Sequence, residues 1–164
     1  MSSETKPSLL EENIGKTVLI GTYEFTADKI IRFAEKYDPQ PFHTDPEAAK
    51  SSLFGGLCAS GWHTAAVWMK LNVRSMGGMI KLCMERGETP PAFGPSPGFE
   101  NLRWLQPVYP GDVIAYTVQI TGIRPLATKP GWSMLNHHAT ATNQHGERVM
   151  EFDSAALVKL PPSA

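Results

Sequence analysis

The densest group of side chains able to do proton chemistry in this sequence is Asp38-Pro39-Gln40-Pro41-Phe42-His43-Thr44-Asp45. Asp38 and His43, a carboxylate and an imidazole five residues apart, can converge on one water molecule. Imidazole changes charge near neutral pH, and an acid and a base exchanging protons in that range are what hydration, dehydration and hydrolysis require. Pro39 and Pro41 stiffen the backbone, so both side chains are presented in fixed directions at little entropic cost on binding. The same residues also admit a structural role, with Asp38 as a turn residue and His43 as a satisfied structural histidine. Asp45, just before Pro46, reads as a helix cap rather than a catalytic group.

A second candidate is Phe54-Gly55-Gly56-Leu57-Cys58-Ala59-Ser60-Gly61-Trp62, which feeds the most apolar stretch of the chain. Small residues let backbone approach a ligand, and free N–H groups at a helix start stabilise negative charge developing on an oxygen. Close packing of a helix against a sheet accounts for the same residues. Trp62 and Trp68 suit either the core or a pocket bounded by bulky groups. No metal site is expected. The five histidines, His43, His63, His137, His138 and His145, form no HExxH or His-x-His, and no paired CxxC accompanies them. His137 and His138 are adjacent in a strand and must point to opposite faces. Cys58 lies in an apolar run that disfavours a thiolate, which argues against a Cys58–His43 nucleophilic pair.

These residues need elements to hold them. Residues 17–25 alternate as a strand. Thr26 then caps a helix whose apolar face is Ile30, Phe33, Ala34 and Tyr37, and which stops at Asp38 because Pro39 disfavours helical geometry before it. Asp45-Pro46-Glu47 starts a short helix that Gly55-Gly56 ends. Residues 57–74 read as a buried helix, apolar most of the way round. Residues 85–98 are a proline-rich loop of the length that often serves function, expected to shape a ligand pocket. From residue 98 the pattern becomes strand-like. Ile114, Tyr116, Val118 and Ile120 form one inward set and Met150, Phe152, Ser154, Ala156 and Val158 another, with turns at Pro110-Gly111-Asp112 and 143–147. Four strands in succession make an antiparallel sheet that must cover its apolar face, and the only helix apolar enough is 57–74. The expected fold is α+β, a curved antiparallel sheet wrapped around a long central helix.

Composition bounds the rest. At 164 residues the chain is one domain by length, read as a flexible arm over 1–13, a single domain over 14–160 and a tail over 161–164. Lys and Arg total 15 against 16 Asp and Glu, a formal charge of −1, so a broad basic surface for nucleic acid is not expected. Glycine and proline number 14 each, which points to many turns rather than a helical bundle. Two cysteines, Cys58 and Cys83, make no disulfide framework and suit free thiols in a reducing compartment. The N-terminus lacks the basic and apolar regions of a signal peptide. The longest apolar candidate, Leu53 to Met69, is broken by Gly55, Gly56, Ser60, Gly61 and His63, so no membrane span is expected and the expected location is cytoplasmic.

The run from Phe33 to Ala49, with Phe54-Gly55-Gly56-Leu57 and Ala59-Ser60-Gly61, resembles the hydratase signature of MaoC-like dehydratases, a family that includes the (R)-specific enoyl-CoA hydratases. Leu102-Arg103-Trp104-Leu105-Gln106-Pro107-Val108-Tyr109-Pro110-Gly111-Asp112 resembles the strand-turn-strand that follows in that family, and the likeness extends over residues 14–159. It implies the hot-dog fold, and a homodimer or dimer of dimers with acyl-CoA bound between subunits. It also implies that Asp38 and His43 activate the water added to a trans-2-enoyl thioester, and that the Gly61 N–H meets the thioester oxygen. The CoA thioester enters as substrate, and no cofactor is implied. Two positions depart from the family pattern: its usual asparagine is Gln40, and the histidine often preceding the glycine is Ser60. An acyl-CoA thioesterase and a non-catalytic acyl-CoA-binding module are the alternatives on the same fold.

Overall fold

Alternation of apolar and polar residues builds the sheet, and one long helix fills its concave face. The computed structural model describes residues 7–161. In chain order its elements are α1 (Leu9–Glu12), β1 (Thr17–Glu24), α2 (Ala27–Tyr37), α3 (Pro41–Thr44), α4 (Pro46–Lys50), α5 (Gly61–Glu85), β2 (Ala92–Phe93), β3 (Gly98–Trp104), β4 (Val113–Pro125), β5 (Ser133–Thr142) and β6 (Arg148–Lys159). The strands run β1-β4-β5-β6, every pair antiparallel. The far side of β6 is shared: β3 pairs along Met150–Ala155 and β2 against Val158 and Lys159.

The inward sets are largely those the alternation predicts, with Val118, Ile120, Ser154 and Ala156 half-buried and Val149, from the opposite set, fully buried. Ile114 and Tyr116 on β4, and Met150, Phe152 and Val158 on β6, are buried, joined by Leu135, His137, Ala139 and Ala141 on β5. Against them α5 lays Val67, Trp68 and Leu71, and the Trp68 indole N–H donates to the Thr117 carbonyl at 3.2 Å. Gly21 sets how closely the helix lies. β1 changes register there, φ is +146°, and a Cβ would stand 3.0 Å from Leu71 Cδ2.

Four expectations change. First, of the arm expected over 1–13, residues 1–6 lie outside the described residues, as do 162–164 of the expected tail. Residues 9–12 are a helix turn capped reciprocally by Ser8 and Glu11, and its Leu10 is buried with Leu135 and Val158. Second, the central helix is Gly61–Glu85 rather than 57–74. Leu57 to Ser60 stay outside it because Cys58 N–H and Ala59 N–H donate to the carbonyls of Phe42 and Val108. At its other end it continues through Gly77 and Gly78, each costing about 1 kcal/mol relative to alanine, and Met79 beyond them packs on the Leu10 cluster. Third, the apolar face of α2 is narrower: Ile30 and Ala34 are buried, while Tyr37, at the helix end, is 62% exposed. Fourth, the proline-rich loop contains β2.

Asp45 caps α4 as its position before Pro46 dictates, accepting from the N–H groups of Glu47 and Ala48 at 2.9 and 3.2 Å. Asp45→Ala is expected to cost about 1 kcal/mol, read as a lowered midpoint in urea denaturation with the slope unchanged.

Candidate functional site

Helix α2 ends where Asp38 N–H donates to the Ala34 carbonyl at 2.8 Å, and Pro39 prevents another turn. Pro41 opens α3 at a position where its missing N–H costs nothing. That single turn, unforeseen in the sequence, carries His43 back over Asp38. The imidazole is buried, and its Nδ1–H donates to the Cys58 carbonyl at 2.6 Å. The other ring nitrogen, Nε2, stands 3.5 Å from Asp38 Oδ2.

Asp38 is held from two further sides. Ser60, fully buried, donates its hydroxyl to Oδ2 at 2.7 Å, and Gln40 Nε2 donates to Oδ1 at 2.7 Å. Burial alone pushes the carboxyl upward. The hydrogen bonds from Ser60 and Gln40, with the charge His43 adds when protonated, outweigh it, and the group sits below the usual carboxylate value. Asp38 is therefore ionised at neutral pH. Its carboxylate and His43 Nε2 face one another at 3.5 Å. Gln40, longer than the asparagine of the family pattern, still reaches the carboxylate.

Ser60 also begins α5. Its hydroxyl accepts from Trp62 N–H, and its carbonyl accepts from the N–H groups of His63 and Thr64. Gly61 N–H, in the first turn where no intrahelical acceptor exists, has no acceptor among the described residues. Trp104, at the end of β3, lies over this glycine. Its indole N–H donates to the Gly61 carbonyl at 2.9 Å, and a Cβ on residue 61 would overlap the Trp104 ring. Asp38, His43 and Gly61 thus come together around Ser60. The sequence gives little sign of Ser60's bond to Asp38 or of the Cys58 carbonyl. Trp104 carried a weak signal, since a tryptophan N–H seeks a partner.

The remaining candidates fall elsewhere. The Cys58 thiol is pushed up to about 11 by burial, so only its carbonyl serves the site. His137 faces the core. His138, on the opposite face, bonds Asp153 at 2.8 Å. His63 is buried and stacked on Phe33, with burial, reinforced by the charge of Lys29, lowering its pKa to about 4. Among the described residues no group of three or more His, Cys, Asp or Glu is placed to hold a metal ion, and no helix is long and apolar enough to cross a membrane. Trp62 is half exposed and Trp68 buried, and both line a cavity of about 520 Å³ between α5 and the sheet. Gly94, Ser96 and Gly98, from the proline-rich loop and the start of β3, line it too.

Residues 10–141 match the family model described as the MaoC like domain, and the chain belongs to this family of MaoC-like dehydratases. Among solved structures it is similar to the MaoC-like dehydratase from Rhodospirillum rubrum, at 34% identity and a TM-score of 0.77, with 94% of this chain and 97% of that one covered. The (R)-hydratase of A. caviae, described as involved in PHA biosynthesis, shares the fold at 22% identity, a TM-score of 0.59 and coverage of 90% and 96%. YdeM of Bacillus subtilis, an uncharacterized protein, is 28% identical over 149 residues, 91% of this chain and 96% of its own. The curved sheet around α5 is the hot-dog fold.

Because the Asp38 value is depressed in the folded state, its carboxylate stabilises the fold fully above the unfolded value of about 3.9 and loses that contribution as pH falls through the folded value. The stability difference between the wild-type protein and Asp38→Asn is therefore expected to be constant near neutrality and to shrink below about pH 4, as measured by urea denaturation across pH.

Proposed function

We propose that this protein is a hydro-lyase acting on acyl-CoA thioesters, which hydrates trans-2-enoyl-CoA to (R)-3-hydroxyacyl-CoA or catalyses the reverse dehydration. The observation that carries this reading is the convergence of Asp38 Oδ2 and His43 Nε2 beside the unpartnered N–H of Gly61. Two acceptors orient one water and take up its proton. Its oxygen bonds to C3 of the enoyl group, the C2–C3 π electrons move toward the thioester oxygen, and Gly61 N–H stabilises the enolate-like charge that gathers there. A proton returned from the pair to C2 completes the addition. In this reading the base is the pair taken together rather than either member alone. Membership of the family supports hydration and dehydration chemistry, and the resemblance to (R)-specific enzymes supports the stereochemistry. The chemistry draws on these groups and on the substrate's own thioester, without a cofactor.

Apolar side chains support a homodimer, the unit from which a dimer of dimers is built. Trp62, Met69 and Val73 on α5 and Phe99 on β3 are exposed in the protomer, and a second copy covering them would roof the site and exclude water from the bound thioester. Buried free thiols at Cys58 and Cys83 support a reducing, cytoplasmic setting.

The test follows absorbance of the enoyl-thioester band with crotonyl-CoA and a thiol-trapping dye in parallel. The expected result is loss of absorbance without thiol release, with an (R)-configured product, and a fall of about 10²–10⁴-fold in turnover for Asp38→Asn and for His43→Ala. Thiol release in place of hydration would make the protein a thioesterase. Binding without turnover across acyl chain lengths would make it a binding module.

A further inference from the structure

The cavity that begins at Trp62 does not end beneath α5. A second cavity, of about 360 Å³, extends to Leu9 and Leu10 of α1, and both are lined by Asn72, Met76, Gly94, His137 and Ala156. They therefore adjoin at these residues, and a chain passing from one to the other would follow a channel along α5. Its walls on either side of the junction are largely apolar, with Met69, Phe99 and Phe152 toward Trp62 and Met79, Leu82 and Ile120 toward α1. The junction itself carries two polar side chains, His137 and Asn72.

His137 is buried with a ring nitrogen unpartnered, and Asn72, half-buried, makes one weak contact. His137 is 8% exposed and stacks on Trp68 at 5.5 Å and 12°. Its Nε2 is buried without a partner. The Asn72 amide N–H reaches only the Met76 sulfur, at 3.7 Å, and its Oδ1 has no acceptor role filled among the described residues. Folded proteins pair nearly all of their buried polar groups. A channel meant only for hydrocarbon is better lined by leucine or phenylalanine at position 137, since an unpaired buried polar group in an apolar wall is a cost without return. Burial lowers the His137 pKa, opposed by the charge of Asp153 and reinforced by that of His138. The ring is neutral, with one nitrogen to donate and one to accept.

We propose that His137 and Asn72 determine specificity by recognising an uncharged oxygen function, a hydroxyl or carbonyl, carried on the acyl chain. This inference rests on the acyl-CoA reading above and narrows its substrate class to oxygenated rather than plain hydrocarbon acyl groups. Asn72 lies eleven residues beyond Gly61, on the order of 16 Å along the helix axis, a distance that an extended dodecanoyl chain spans. The oxygen function therefore sits far from the thioester, and the channel beyond the junction accommodates further apolar chain.

Calorimetric titration of the full chain with three saturated thioesters tests this. The probes are dodecanoyl-CoA, ω-hydroxydodecanoyl-CoA and the ω-carboxy analogue. None is turned over by a hydratase, so failure here is distinct from failure of the crotonyl-CoA assay. The ω-hydroxy compound is expected to bind about tenfold more tightly than dodecanoyl-CoA, because a site built to hydrogen-bond an oxygen rejects a chain lacking it. His137→Phe, which keeps a ring against Trp68, and Asn72→Leu, on a half-exposed helix face, are each expected to bring that ratio close to one. Equal binding of the plain and hydroxylated chains would overturn the proposal. So would a ratio that survives both variants, tightest binding of the ω-carboxy analogue, or no binding of any of the three.

Discussion

A single hydrogen bond, from the Ser60 hydroxyl to Asp38 Oδ2, joins the two halves of the site across 22 residues of chain. One partner closes α2 and the other opens α5, so the bond fixes the carboxylate relative to the free Gly61 N–H at the start of the long helix. Ser60 is fully buried, and its hydroxyl both donates to the carboxylate and accepts from Trp62 N–H. Each contact constrains the other. Where the family pattern often has histidine, serine fulfils this joint role with a shorter side chain.

The sheet serves this arrangement at a distance. Gly21 lets α5 settle on β1 through Leu71, and Trp68 anchors it to β4, so the start of α5 is set by contacts in its middle turns. Trp104 then reaches from β3 to cover Gly61, where only glycine fits beneath the indole ring. His43 is oriented independently by the Cys58 carbonyl. Preorganised donors and acceptors of this kind need little rearrangement as charge develops.

Much of this was legible in side-chain types. The Asp38–His43 spacing between prolines, the Asp45 cap and the inward alternation on β4 and β6 all follow from local chemistry, and the structure places them accordingly. What escaped reading depends on contacts between distant parts of the chain. The Cys58 carbonyl carries no residue-type signal, since every residue has one. Trp104 arrives 43 residues after Gly61. Local propensity ends α5 early, yet Met79 packs against Leu10 and Leu135 and holds the helix together past Gly77 and Gly78. That same contact holds residues 9–12 of the expected arm as a capped helix turn.

The central claim is that Asp38 and His43 act on one water as a unit. The most direct measurement compares kcat/KM for enoyl-CoA hydration in Asp38→Asn, His43→Ala and the double variant. Residues that act as a unit are strongly non-additive, so the double variant is predicted to fall about as far as the more damaged single one. Losses that multiply, with the double variant slowed by the product of the two single effects, would contradict the shared water and assign the two side chains separate roles.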